Sequence, residues 1–139
     1  RLTLPAELYA YDIRNAKSLG RVKQLALTID PYEPTLLAFS PTPVDDLLVA
    51  APAHIRRGDT GRIGLSLPRP ESIGTDIFHV DFLDPSGKLV SCYSGNVLAP
   101  DGRAEVLLPL AANDPPGHWT MRIRDALTGR ERSAGLEVF

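Results

Sequence analysis

A chain of 139 residues, 43% of them hydrophobic, is long enough to bury one good core or one compact domain plus part of another, which argues against disorder. The 15 Lys and Arg against 17 Asp and Glu leave a net charge of -2, and no basic run exceeds Arg56-Arg57. The clustered positive charge that a nucleic-acid groove or an anionic membrane surface would need is therefore lacking.

In chain order, Glu7 to Asp12 reads as a short strand, with Leu8 on one side and Tyr9 and Tyr11, two positions apart, on the other. Residues 14 to 20 form its turn. Val22 to Ile29 sets Leu25, Leu27 and Ile29 against Lys23, Gln24 and Thr28 and predicts a longer strand, ended by Pro31 and Pro34. Thr35 to Ser40 is mostly apolar and predicts a third strand buried on both faces. Pro41-Thr42-Pro43 cannot lie inside a sheet, so a boundary is expected there. Residues 1–43 then form an N-terminal β-strand segment that completes or docks on an adjacent β domain, because three strands alone bury too little.

Residues 44–139 are expected to make a second unit. Leu47 to Ala51 fits either a short helix capped by Asp45 or Asp46 and limited by Pro52, or a strand; the surrounding architecture favours the strand. Ile63, Leu65 and Leu67 mark the next strand, ended by Pro68-Arg69-Pro70. Phe78, Val80 and Phe82 alternate with His79 and Asp81, and Asp84-Pro85-Ser86-Gly87 then turns the chain. Leu89 to Val97 is expected to be a strand, followed by the Pro100-Asp101-Gly102 turn and a strand over Arg103 to Leu108. After a proline-bearing loop over residues 109 to 117, Trp119 to Asp125 and Glu131 to Phe139 pair across a hairpin at Thr128-Gly129. About seven strands at such spacing predict an all-β, antiparallel, immunoglobulin-like β-sandwich with additional N-terminal strands.

Candidate chemistry is sparse. Asp76, Asp81, Asp84, Asp101, Asp114 and Asp125 could be paired acids or calcium ligands, but no Asp-x-Asp-x-Asp loop is present, and most stand beside the Pro or Gly of a turn, where an Asx-turn or end-cap explains them. His54, His79 and His118 lack the short spacing of a zinc site, so no metal is expected. Tyr93-Ser94-Gly95-Asn96 is not a nucleophile elbow, and Gly58, Gly61 and Gly64 precede a strand rather than the helix a phosphate loop requires. Cys92, the single cysteine, excludes a disulfide within the chain and reads as a small buried residue of a strand. Trp119 shares an inward face with Met121 and Ile123 and is expected in the core. Tyr9 and Tyr11, projecting to one face, offer either a carbohydrate platform or a contact with a neighbouring domain, and Tyr93 is the third candidate for stacking on a sugar.

The segment from Leu47 to Phe139, with Ala51-Pro52, Gly58, Phe82-Leu83-Asp84-Pro85-Ser86-Gly87-Lys88, Asp101-Gly102 and Gly117-His118-Trp119-Thr120, resembles the macroglobulin-type and other immunoglobulin-like β-sandwich modules of large bacterial surface proteins. The earlier Leu8-Tyr9-Ala10-Tyr11-Asp12, Leu19-Gly20-Arg21-Val22 and Pro34-Thr35-Leu36-Leu37-Ala38-Phe39 resemble the C-terminal β-region of bacterial glycoside hydrolases. Neither resemblance carries a catalytic residue onto this sequence, and the thioester and bait sequences of macroglobulins are absent. Together they imply a non-catalytic spacer or docking module of a larger, exported bacterial protein, for which a carbohydrate-active enzyme is the parent to expect. Its partners would be neighbouring domains of the same polypeptide, with a carbohydrate as the alternative ligand; no cofactor, nucleic acid or membrane insertion is expected. A catalytic role for the turn carboxylates is the third reading. No apolar run reaches the ~18 residues of a membrane span. The start at Arg1, without a visible signal peptide, is expected of a piece or processed product of something longer. Exposed edge strands make the chain a monomer or a weak dimer.

Overall fold

The computed structural model describes residues 1–44, 46–68 and 74–139. They form eleven strands and no helix: β1 (Leu2–Asp12), β2 (Lys17–Leu25), β3 (Leu37–Ser40), β4 (Leu48–Ala50), β5 (His54–Ile55), β6 (Thr60–Ser66), β7 (Thr75–Leu83), β8 (Gly95–Pro100), β9 (Arg103–Pro109), β10 (Gly117–Asp125) and β11 (Glu131–Val138). Two sheets, in the orders β5-β11-β10-β7-β8 and β4-β6-β9, make an immunoglobulin-like sandwich, and a third, β2-β1-β3, is built from the N-terminal residues.

Period-two alternation dictates which side chains meet inside the sandwich. Phe78, Val80 and Phe82 of β7, Trp119, Met121 and Ile123 of β10, and Leu136 and Val138 of β11 point inward from the larger sheet. Ile63 and Leu65 of β6, with Val106 and Leu108 of β9, come from the smaller one. Cross-strand register sets Met121 beside Phe82 and Ile123 beside Val80, while Ile63 faces Val106 across its own ladder. Among the described residues all ladders are antiparallel except one. After Ala51-Pro52 the chain leaves β4 and rejoins at the rim of the other sheet, where β5 pairs parallel with β11.

The three-stranded sheet continues into this core through Tyr11, a residue only 4% exposed. Its hydroxyl accepts a hydrogen bond from the Val44 amide at 3.1 Å. Where the sequence predicts a turn over residues 14 to 20, the reversal takes only residues 13 to 16. Asp12 accepts hydrogen bonds from the Asn15 amide and side chain, and Ala16 adopts a φ of 49°. β2 therefore starts at Lys17 and ends at Leu25, opposite Leu2 at the beginning of β1. The ladder ends at the pair of Leu2 with Leu25, so the strand predicted to reach Ile29 stops at Leu25, and Ile29 is 71% exposed. β3 is an edge strand, which leaves Leu37, Ala38 and Phe39 half-buried instead of enclosed on both faces.

Within the sandwich the predicted strand over Leu89 to Val97 is also corrected. The Ser94 hydroxyl donates to the Val90 carbonyl at 2.9 Å and accepts from the Phe82 amide at 2.9 Å, folding this stretch into a local turn, and the ladder begins only at Gly95. Cys92 lies on that turn and is exposed, contrary to the buried position expected of it. Leu48–Ala50 is a strand, as the architecture favoured. The capping role considered for Asp45, and Arg69-Pro70 at the expected end of β6, lie outside the described residues.

Candidate functional site

Three parts of the chain converge where the N-terminal sheet meets the sandwich: the β1–β2 turn, the connecting residues Val44 and Asp46, and the β10–β11 hairpin. The hairpin is closed by its own sequence. Asp125, 1% exposed, accepts hydrogen bonds from the amides of Leu127 (3.1 Å) and Thr128 (3.0 Å) and from the Thr128 hydroxyl (2.5 Å). The Gly129 amide donates to the Asp125 carbonyl at 2.8 Å, and the Asp125 amide to that of Arg130 at 2.9 Å. Gly129 takes a φ of 70°, open to glycine at little cost, and lies so close to the β1–β2 turn that an added Cβ would fall 2.1 Å from that of Ala16.

Arg130 reaches from this hairpin to the connecting residues, donating to the Val44 carbonyl at 3.3 Å and to Asp46 at 3.1 Å, while Arg132 approaches the other Asp46 oxygen at 3.4 Å. Val44 is thus held from both sides, through its amide by Tyr11 and through its carbonyl by Arg130. Beside this contact runs a cleft of about 310 Å³ lined by Ile13, Phe39, Asp76, Ile77 and Leu127 among others. Its walls are mostly apolar, with the buried Asp76 among them, so the cleft suits an apolar side chain better than a sugar.

The candidate sugar-stacking residues are dispersed. Tyr9 is half-buried against the core and Tyr11 is enclosed in it, so they form no open platform; the alternation that puts both rings on one face turns that face toward the sandwich. Tyr93 lies at the turn before β8, its ring tilted 46° to that of Trp119 at a centroid distance of 6.2 Å. Its hydroxyl donates to Asp114 at 2.7 Å, and Asp114 also accepts the Ala111 amide at 2.7 Å. Burial, reinforced by the neighbouring Asp114 carboxylate, pushes the Tyr93 hydroxyl above its ordinary pKa. Trp119 is fully buried, as expected, and its indole donates to the Pro115 carbonyl at 2.9 Å.

Apart from the buried Asp76 and Asp125, the candidate acids and the histidines are likewise dispersed. Asp84 accepts from the Ser86 amide and hydroxyl and from the Lys88 amide, and the Ser86 hydroxyl above all holds its carboxyl below the usual carboxylate range. His79 stands between Asn96 (2.7 Å) and Asp81 (3.2 Å), and His118 beside Glu137 (2.8 Å). Among the described residues no three of His, Cys, Asp and Glu are grouped to hold a metal. Sequence reasoning missed the contact of Ala16 with Gly129 and the part of Arg130. The Thr128-Gly129 turn was legible, but nothing local to it names the segment it touches.

No protein-family model matches the sequence, and no curated protein does. Among solved structures, the chain is similar to Escherichia coli alpha-2-macroglobulin in its native conformation, at 17% identity and a TM-score of 0.55 over 95% of this chain. It spans 10% of that protein's length. It also overlaps the CARDB domain of a Pyrococcus furiosus protein solved in complex with di-metal ions, at 10% identity over 69% of this chain and 90% of that one. That TM-score is 0.43, too loose a superposition to carry an argument. The likeness to the macroglobulin concerns the fold alone.

Proposed function

We propose that this chain is a non-catalytic spacing and docking module of a larger, exported polypeptide. The observation that carries the reading is the junction: Tyr11 and Arg130 grip the two sides of the Val44 peptide while the β1–β2 turn packs on Gly129. Such a contact fixes the N-terminal sheet in one orientation, so whatever the sheet adjoins is held at a set angle to the sandwich. A domain contact, not a sugar platform, then accounts for the inward Tyr9 and Tyr11. The similarity to one tenth of a large macroglobulin is consistent with a module inside a long chain. A carbohydrate-active parent is the context that the sequence resemblance favours.

The test is ¹⁵N relaxation of the intact 139-residue chain. A spacer requires the amides of β1 to β3 and those of β6 to β11 to tumble with one correlation time. Two distinct correlation times would mean a hinge at the junction and would defeat the proposal.

A further inference from the structure

Among the described residues each sheet ends in two edge strands, and five of the six are blunted in recognisable ways. β2 carries Lys17, Arg21 and Lys23, and β9 carries Arg103 and Glu105. β3 has four residues and is followed by Pro41; β4 has three, with Pro52 shortly after; β5 has two. The sixth, β8, is different: Gly95-Asn96-Val97-Leu98-Ala99-Pro100 holds no charge over six residues. Among the described residues it terminates its sheet, and its ladder runs to β7 alone. On its outer face Leu98 is 66% exposed, and the residue opposite it on β7, Ile77, is 41% exposed. A cross-strand pair of large aliphatic side chains facing water at an uncharged edge is what an added strand would cover.

We infer that β8 is a homotypic edge, at which two copies of this chain pair β8 with β8, antiparallel, about a two-fold axis through Leu98. The occupant follows from symmetry and charge. Opposed residues in an antiparallel ladder share a face, so a strand pairing with itself keeps both outer faces together only if the axis passes through a residue. Centred on Leu98, the pairing places Val97 opposite Ala99 and joins Ile77, Leu98 and their two counterparts into one apolar row. No like charges are brought face to face within the pair. A second copy of β2 would set Lys17 opposite Lys23, or Arg21 opposite Lys23 or itself; on β9 Glu105 is already paired with Arg62 at 2.7 Å; and β3, β4 and β5 offer four residues or fewer. The surface covered by six residues of strand belongs to the small, transient class, under about 1,200 Å² in total. Association is therefore weak and concentration-dependent. This inference is independent of the spacer reading.

Sedimentation equilibrium of the intact chain, from micromolar to millimolar concentration, tests it. The weight-average mass is expected to rise toward twice that of one chain, and Leu98→Lys, which sets two ammonium groups on the axis, is expected to weaken association about tenfold. Lys23→Ala on β2 should leave it unchanged. Amide exchange supplies a measurement without substitution: protection of β8 amides should grow with concentration while that of β2 does not. A chain monomeric throughout the range overturns the inference, as does association that survives Leu98→Lys undiminished or protection that grows at a different edge.

Discussion

Replacing Gly129 with alanine strikes the junction at its tightest point. At a φ of 70° a side chain costs about 1–2 kcal/mol in the backbone alone. The new Cβ would also lie 2.1 Å from that of Ala16, an overlap removable only by pushing the β1–β2 turn outward. Such overpacking costs about 1–3 kcal/mol, so the variant should lose about 2–5 kcal/mol in all. Against a domain stability of about 5–15 kcal/mol this is readily measured by urea unfolding followed through the fluorescence of the buried Trp119. The companion Ala16→Gly separates the two shares. Ala16 is itself at a φ of 49°, so glycine there relieves strain while adding freedom to the unfolded chain, and the single variant should lie within about 1 kcal/mol of the parent. In the double variant the Cβ overlap is gone, although the Ala16 Cα and carbonyl oxygen remain 3.1 Å away. Ala16→Gly should therefore stabilise the Gly129→Ala background by more than it changes the parent. A loss below about 1 kcal/mol in Gly129→Ala, or equal effects of Ala16→Gly in both backgrounds, would refute the close packing of turn on hairpin.

Two further outcomes follow from side chains that close turns. Asp125→Ala leaves two amides and a hydroxyl of the β10–β11 hairpin without their acceptor, and should cost at least about 2 kcal/mol in chemical denaturation, with Asp125→Asn intermediate. Asp84 titrates below its ordinary value because of Ser86, so its contribution to stability is present above the unfolded-state pKa and is lost as pH falls through the lower folded value, below about pH 4. Carboxyl chemical shifts should show that midpoint moving up in Ser86→Ala; an unmoved midpoint would mean that the hydroxyl does not hold the carboxylate.

The sandwich was legible because its strands carry a strict alternation: Phe78, Val80 and Phe82, then Trp119, Met121 and Ile123, have only one way to hide. The Asp84 and Asp125 turns were legible for the same local reason, since an Asx-turn is made by residues two to four apart. What the sequence did not disclose depends on partners far along the chain. Ile29 continues the alternation of Leu25 and Leu27, yet pairing with β1 ends at Leu25, and what a strand pairs with is not written in its own alternation. β5 is two residues whose pairing is decided by β11, and Leu89 to Val97 carries enough apolar residues for a strand although Ser94 folds its first half back. At the candidate site Tyr11 showed the right face but not what lay against it, because Val44 and Arg130 are 33 and 86 positions from their respective partners, Tyr11 and Val44.

The parallel pairing of β5 with β11 bears on how the sandwich would respond to being pulled. β5 lies near its entrance and β11 at its exit, so tension drawing the two ends apart slides one strand along the other. The bonds from the Glu137 amide to the Ala53 carbonyl (2.9 Å), from Phe139 to Ile55 (3.2 Å) and from Arg57 to Phe139 (2.9 Å) lie across that direction and share the load together. An antiparallel pair pulled from one end would peel open bond by bond. The module should therefore yield at a high, sharply defined force, and single-molecule extension would register Arg57→Pro, which deletes one of the three amide donors, as a drop in that force. A spacer with such a clamp at its rim keeps its length under strain.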